Sequence, residues 1–240
     1  MTMLKKTINA LITVASIAFA ASALAAVTPA ETAQIKARLQ LVAPGIKVDA
    51  ISRVGQSGLF EVTSGRNVLY VDSTMHYVLE GSLVDIDSKV NLTEQRTAEL
   101  NKINFSSLPV RDAIVTIKGN GKRKLAIFSD PDCPFCKRLE GELANLDNVT
   151  IYTYLFPIVS LHPNAYNKSV SVWCAPDRAK AWSTAMKGEE LPAANCNTPV
   201  ERTVELGRKL GINATPTLVF VDGKRVPGAI PASRIDALLN

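Results

Sequence analysis

Phe128-Ser129-Asp130-Pro131-Asp132-Cys133-Pro134-Phe135-Cys136-Lys137 is the stretch that decides the fold. An apolar run ending at Ser129 reads as a buried strand, residues 130–132 as a polar loop, and Cys-Pro-Phe-Cys as the opening of a helix. Backbone N–H groups in a first helical turn lack intrahelical partners and carry partial positive charge, which favours a thiolate over a thiol. Cysteines at helix starts are among those whose thiols can fall below the free value of ~8.5. Lys137 and Arg138 add positive charge, and Asp130 and Asp132 oppose it. Helical spacing puts Cys136, Leu139, Leu143 and Leu146 on one apolar face. Cys136 is therefore expected toward the core, and Cys133, at the helix tip, as the more exposed sulfur. That division suits disulfide exchange: Cys133 attacks and forms a mixed disulfide, and Cys136 releases it.

Two plainer readings are weaker. A purely structural Cys133–Cys136 bridge closes too small a loop to stabilise much. A zinc site needs four ligands, yet Cys174 and Cys196 form no second Cys-x-x-Cys, and His76 and His162 stand at no ligand spacing. Both histidines are expected on the surface or in loops. No metal and no cofactor is expected.

Around this stretch strands and helices alternate. Strands are expected at 113–118, 125–129, 149–155 and 217–221, with another starting at Val226. Gly119-Asn120-Gly121 and Asp222-Gly223-Lys224 mark tight turns. Helices are expected after Pro134 and over 164–173, 177–187, 200–210 and 232–239. This order predicts a mixed sheet with helices on both faces. Upstream the pattern changes. Thr28, Pro29 and Glu31 form a capping-box start for a short amphipathic helix. Short β-like runs with glycine turns come next over 46–86, a small α+β unit with a meandering antiparallel sheet. Residues 92–103 have helical composition without Gly or Pro and read as a linking helix. The expected organisation is 26–88, linker 89–105, and 106–240.

Residues 1–25 read as a cleaved secretory signal: Lys5 and Lys6, an apolar stretch over 10–20, then Ala23-Leu24-Ala25, with cleavage after Ala25 or Ala26. The apolar run is shorter than the ~20 residues a spanning helix needs. Without Lys5 and Lys6 the chain holds 25 basic and 22 acidic residues, too small and scattered an excess to argue for nucleic acid. Export to an oxidising compartment would let the four cysteines pair.

The chain resembles the thioredoxin superfamily, and within it the DsbC-type isomerases. Beyond the cysteine motif, Gly211-Ile212-Asn213-Ala214-Thr215-Pro216-Thr217 is similar to that family's cis-proline loop. The resemblance implies a cis Pro216 facing the cysteines and Thr215 pairing with substrate backbone. Pro134 and Phe135 complete the expected substrate-binding set. It implies a structural Cys174–Cys196 disulfide, and closing a loop of that size is worth roughly 3 kcal/mol in the chain-entropy model. Val68-Leu69-Tyr70-Val71-Asp72 and Leu79-Glu80-Gly81 resemble the DsbC dimerisation domain, and Val226-Pro227-Gly228 also fits.

The resemblance implies an α/β thioredoxin-like catalytic domain joined by a linker helix to a smaller N-terminal α+β dimerisation domain. The implied protein is a periplasmic homodimer that rearranges misfolded, disulfide-containing exported proteins. A DsbD-like membrane reductant would keep it reduced. Two alternatives accompany this reading: a DsbG-like reductase protecting single thiols from sulfenic oxidation, and a chaperone or binding module with secondary redox activity. One departure stands out. Pro134-Phe135 occupies the place of the better-known DsbC dipeptide Gly-Tyr, and this dipeptide tunes the reduction potential. The second cysteine pair favours DsbC over DsbG.

Overall fold

The structure is a computed structural model that describes residues 26–239. The expected signal segment 1–25 lies outside the described residues. The chain divides into two compact units at Glu80 and Gly81.

The first unit opens with helix α1, Pro29–Val42. Thr28 Oγ accepts the Glu31 N–H at 3.2 Å, and the Glu31 carboxylate accepts the Thr28 N–H at 2.9 Å. Two otherwise unpartnered donors are thereby satisfied. Four strands come next, β1 Ala50–Arg53, β2 Leu59–Ser64, β3 Asn67–Asp72 and β4 Val78–Leu79, as an antiparallel meander in sequence order. Alternation along β2 and β3 sends Phe60, Val62, Leu69 and Val71 to one face, where Ile35 and Leu39 of α1 pack on them. The β3–β4 turn is organised by Asp72. Its carboxylate accepts the Thr74, His76 and Tyr77 N–H groups at 3.0, 2.9 and 2.8 Å, and the Thr74 hydroxyl as well. These donors hold the Asp72 carboxyl down at about 2, the Thr74 hydroxyl first among them.

The second unit begins with an irregular stretch and α2, Leu92–Leu100. The expected helix over 92–103 stops three residues early. Asn101 ends it by turning its own N–H and its side-chain amide back to Thr97 O, and Ile103 N–H then leaves for Gly223 O at 2.9 Å. Two 3-10 turns lead into the sheet strands β5 Ile114–Lys118 and β6 Arg123–Ser129. Then come α3 Pro134–Ala144, β7 Val149–Leu155, α4 Ala165–Cys174, α5 Arg178–Met186 and α6 Val200–Lys209. Strands β8 Thr217–Phe220 and β9 Arg225–Pro227 and helix α7 Ala232–Leu238 close the chain.

The sheet order is β5-β7-β6-β8-β9, with only β6 and β7 parallel. A parallel neighbour demands a crossover, and α3 supplies it. The start of α3 therefore stands at the carboxyl end of the central strand. Both faces of β6 are covered: Leu125 and Ile127 meet Leu139 and Leu143 of α3, while Ala126 and Phe128 meet Tyr154, Phe156 and Ile212. Burial on both sides explains why residues 125–128 of β6 read as an unbroken apolar run. On the second face, Gly207 of α6 lies against the Phe156 ring so closely that a Cβ would sit 2.3 Å from it. Among the described residues no helix is long and apolar enough to cross a membrane.

Candidate active site

Strand β6 ends at Ser129, and the chain turns through Asp130 to reach α3. Cys133 is the N-cap residue of α3, and Pro134 takes the first helical position, where its missing N–H costs nothing. The Cys133 N–H bonds to Asp130 O at 3.2 Å, and Cys133 O accepts the Lys137 N–H at 3.1 Å. Both cysteines carry free thiols.

Cys133 is the more exposed of the two sulfurs, as expected, but only narrowly. Cys133 is 4% exposed and Cys136 1%, so the order holds but both are buried. The reason lies 82 residues away. The Thr215–Pro216 bond is cis, and the Thr215 carbonyl faces the helix start, accepting the Cys133 S–H at 3.4 Å. Thr217 Oγ1 donates to Ala214 O at 2.7 Å, the Gly228 N–H to Pro216 O at 2.7 Å, and the Arg225 guanidinium to Leu210 O and Gly211 O. The exposed part of the site is the dipeptide between the cysteines. Pro134 is exposed, and Phe135 is 54% exposed with the Arg138 guanidinium 5.4 Å from its ring centre.

Cys136 faces the core beside Ile114, Leu155 and Trp182. Burial pushes its thiol up to about 12, and the neighbouring Cys133 pushes the same way. The Asp130 N–H, 3.5 Å from the sulfur, and Ser129 pull against this. The two acids of the motif are both engaged. Asp132 pairs with Lys168 of α4, and the fully buried Asp130 carboxylate accepts the Asp132 and Ile158 N–H groups at 2.8 and 2.7 Å. Asp130 also meets His162 Nδ1 at 3.0 Å. His162 lies in the loop between β7 and α4, as expected, but it is half-buried there as a neighbour of the motif. Nothing in the spacing of Leu161-His162-Pro163 announces this, because the contact spans 32 residues. His76 lies in the first unit beside Tyr77.

Cys174, the last residue of α4, is bonded to the exposed Cys196, with Cα atoms 5.8 Å apart and a sequence separation of 22. The bond ties the irregular chain between α5 and α6 back to α4. Among the described residues no group of three or more His, Cys, Asp or Glu side chains is placed to hold a metal ion.

Geometrically, the site is a pair of thiols at a helix start, roofed by a carbonyl that precedes a cis proline and flanked by an exposed aromatic ring. Two family descriptions match the chain: Thioredoxin-like domain over residues 110–240, and Disulfide bond isomerase protein N-terminal domain over residues 25–94. A probable thiol:disulfide interchange protein DsbC of Bordetella parapertussis is 39% identical over 206 residues, covering 85% of this chain and 73% of that protein. The thiol:disulfide interchange protein DsbC of Escherichia coli is 25% identical over 198 residues, 82% of this chain and 83% of that one. A crystal structure of a disulfide interchange protein from Neisseria gonorrhoeae is 46% identical, with a TM-score of 0.53, covering 55% of this chain and 96% of that chain. With a thioredoxin-like domain over its larger part and the isomerase N-terminal domain ahead of it, the chain belongs to the DsbC family.

Proposed function

We propose that the chain is a thiol–disulfide isomerase and reductase acting on non-native disulfides of exported proteins, with Cys133 as nucleophile and Cys136 as resolving thiol. The observation that carries this reading is the position of the Cys133 sulfur, at the start of α3 and 3.4 Å from the carbonyl preceding cis Pro216. Unpaired N–H groups of a helix start stabilise a thiolate. The Thr215 backbone offers hydrogen bonds to an extended substrate segment, and Phe135 and Pro134 offer apolar contact beside it.

The Cys133 thiolate attacks one sulfur of a substrate disulfide. The Cys133–substrate bond forms, the substrate S–S bond breaks, and the departing sulfur takes the electron pair and then a proton. Rearrangement follows when a substrate thiolate attacks elsewhere in the substrate and finally displaces Cys133. If it does not, Cys136 displaces the substrate, which leaves with both thiols reduced and the enzyme oxidised. Two electrons must then come from a dithiol donor, a DsbD-like membrane reductant in this reading.

The same reading places the protein in the periplasm after removal of residues 1–25, and makes it a homodimer through its first unit. Exposed Tyr77, Val78 and Leu79 along the short edge strand β4 support a partner there. Cys174–Cys196 is the structural bridge.

The test is refolding of a scrambled multi-disulfide substrate in glutathione buffer by residues 26–240, wild type beside Cys133→Ser. Recovery of native substrate with wild type alone is expected. Simple reduction or oxidation without reshuffling would contradict the isomerase reading. Equal rescue by both proteins would favour a chaperone.

A further inference from the structure

The Asp130 carboxylate is fully buried behind the cysteine turn, and the exchange chemistry proposed above gives it no direct task. It is gripped from three sides: by the Asp132 N–H, by the Ile158 N–H, and by His162 Nδ1 at 3.0 Å. Two backbone N–H groups aim at the carboxylate, so it serves as acceptor and Nδ1–H of the imidazole donates. The ring is itself held in an ordered turn. The N–H groups of Leu161 and His162 both bond to Ile158 O at 2.9 Å, and His162 O accepts the Ala165 N–H at 3.0 Å. The other acid of the cysteine turn, Asp132, is paired with Lys168 of α4.

What the grip controls is the backbone of Asp130. Its N–H points at Cys136 Sγ from 3.5 Å, and its carbonyl accepts the Cys133 N–H at 3.2 Å. The peptide units on either side of Asp130 therefore reach both cysteines, and its side chain is anchored on a different segment. Cys136 sits in apolar surroundings, where a developing thiolate has few other donors to lean on.

We propose that His162 is a positioning residue for the resolving step. By holding the Asp130 carboxylate, it keeps the Asp130 N–H aimed at the Cys136 sulfur when that sulfur becomes the attacking thiolate. The inference rests on the reading of Cys133 as attacking and Cys136 as resolving thiol. In the step concerned, Cys136 gives its proton to solvent and its sulfur attacks Cys133. The Cys136–Cys133 bond forms, the Cys133–substrate bond breaks, and the substrate sulfur leaves with the electron pair and takes up a proton. The enzyme dithiol is oxidised and the substrate disulfide reduced. Attack by the Cys133 sulfur does not draw on the Asp130 N–H, which faces Cys136 Sγ.

The experiment separates the two half-steps. Wild type, His162→Ala, His162→Asn and His162→Gln are mixed with a peptide disulfide and quenched with acid, and formation and decay of the mixed disulfide are tracked by mass spectrometry. Asn carries its amide N–H close to the place of Nδ1, and Gln carries it further out. His162→Ala is expected to slow decay about tenfold, the scale of one lost hydrogen bond to a charged group, and to leave formation within about twofold. Asn is expected to restore most of the decay rate and Gln little of it. Unchanged decay in His162→Ala, equal slowing of both half-steps, or Asn behaving like Gln would overturn the proposal. Should His162→Ala not fold, the Asn and Gln pair decides alone. Absence of any mixed disulfide with wild type is a different failure: it removes the exchange reading and this inference with it.

Discussion

The two cysteine pairs of this chain invert a common expectation about exposure. The bonded pair, Cys174–Cys196, includes a sulfur at the surface, while the free pair, Cys133 and Cys136, is buried. On the proposed assignment of Cys133 as nucleophile, exposure is a poor guide to which thiol does chemistry here. Surroundings separate them better. Cys133 ends the turn after a buried strand and caps a helix, with open N–H groups ahead of it and the Thr215 carbonyl above it. Cys174 ends a helix, where free carbonyls and partial negative charge disfavour a thiolate. A helix thus has one end suited to reactive sulfur and one suited to inert sulfur, and this chain places its free pair at the first and its bonded Cys174 at the second.

Mutating each pair in turn should produce opposite effects. Cys133→Ser is expected to take disulfide rearrangement to background and leave thermal stability nearly unchanged. Cys174→Ser/Cys196→Ser is expected to do the reverse, costing about 3 kcal/mol in the chain-entropy model while activity per folded molecule persists. Denaturant melts and refolding assays on the two proteins read both effects. If the double variant loses activity at full stability, the second pair is redox-active and the contrast fails.

A smaller effect probes the frame that carries the first pair. Gly207→Ala would drive a methyl into the Phe156 ring, which packs edge-on against Phe128 of the central strand. A loss of about 1–3 kcal/mol is expected from overpacking. A neutral result in a denaturant melt would mean that α6 shifts freely beside the site.

The contrast within the first pair is chemical. With its thiol pushed up to about 12, Cys136 should resist iodoacetamide in the reduced protein at pH 8, and Cys133 should take the label. Labelling of Cys136 at pH 8, seen by peptide mapping, would contradict its burial. Smallest is a local effect in the first unit. Asp72 has its carboxyl held down to about 2, so the order it gives the β3–β4 turn is present above the unfolded carboxyl range of ~3.9. That order is lost as pH falls through about 2. The amide resonances of Thr74, His76 and Tyr77 should report this, and their collapse near pH 4 would refute it.

Much of this was legible because it rests on neighbours in sequence. The Thr28–Glu31 capping box, the apolar run of β6 buried on two faces, and the helix opening at Pro134 are local patterns with one physical solution. What stayed hidden depends on contacts across the chain. Cys133 is covered by a carbonyl 82 residues on, and His162 reaches Asp130 across 32 residues. Neither partner carries a spacing that announces it. The early end of α2 is of the same kind, since residues 101–103 have helical composition but Ile103 bonds to the turn at Gly223. The resemblance to a family supplied the cis proline, which periodicity alone leaves as an ordinary proline before a strand.

Trapping the enzyme on its substrate shows whether Cys133 is the attacking sulfur. Cys136→Ala is mixed with a scrambled disulfide protein, quenched with acid and mapped by proteolysis and mass spectrometry. One mixed disulfide is expected, between the substrate and Cys133, with Cys174–Cys196 intact. A substrate linked to Cys174 or Cys196, or no trapped complex at all, would contradict it.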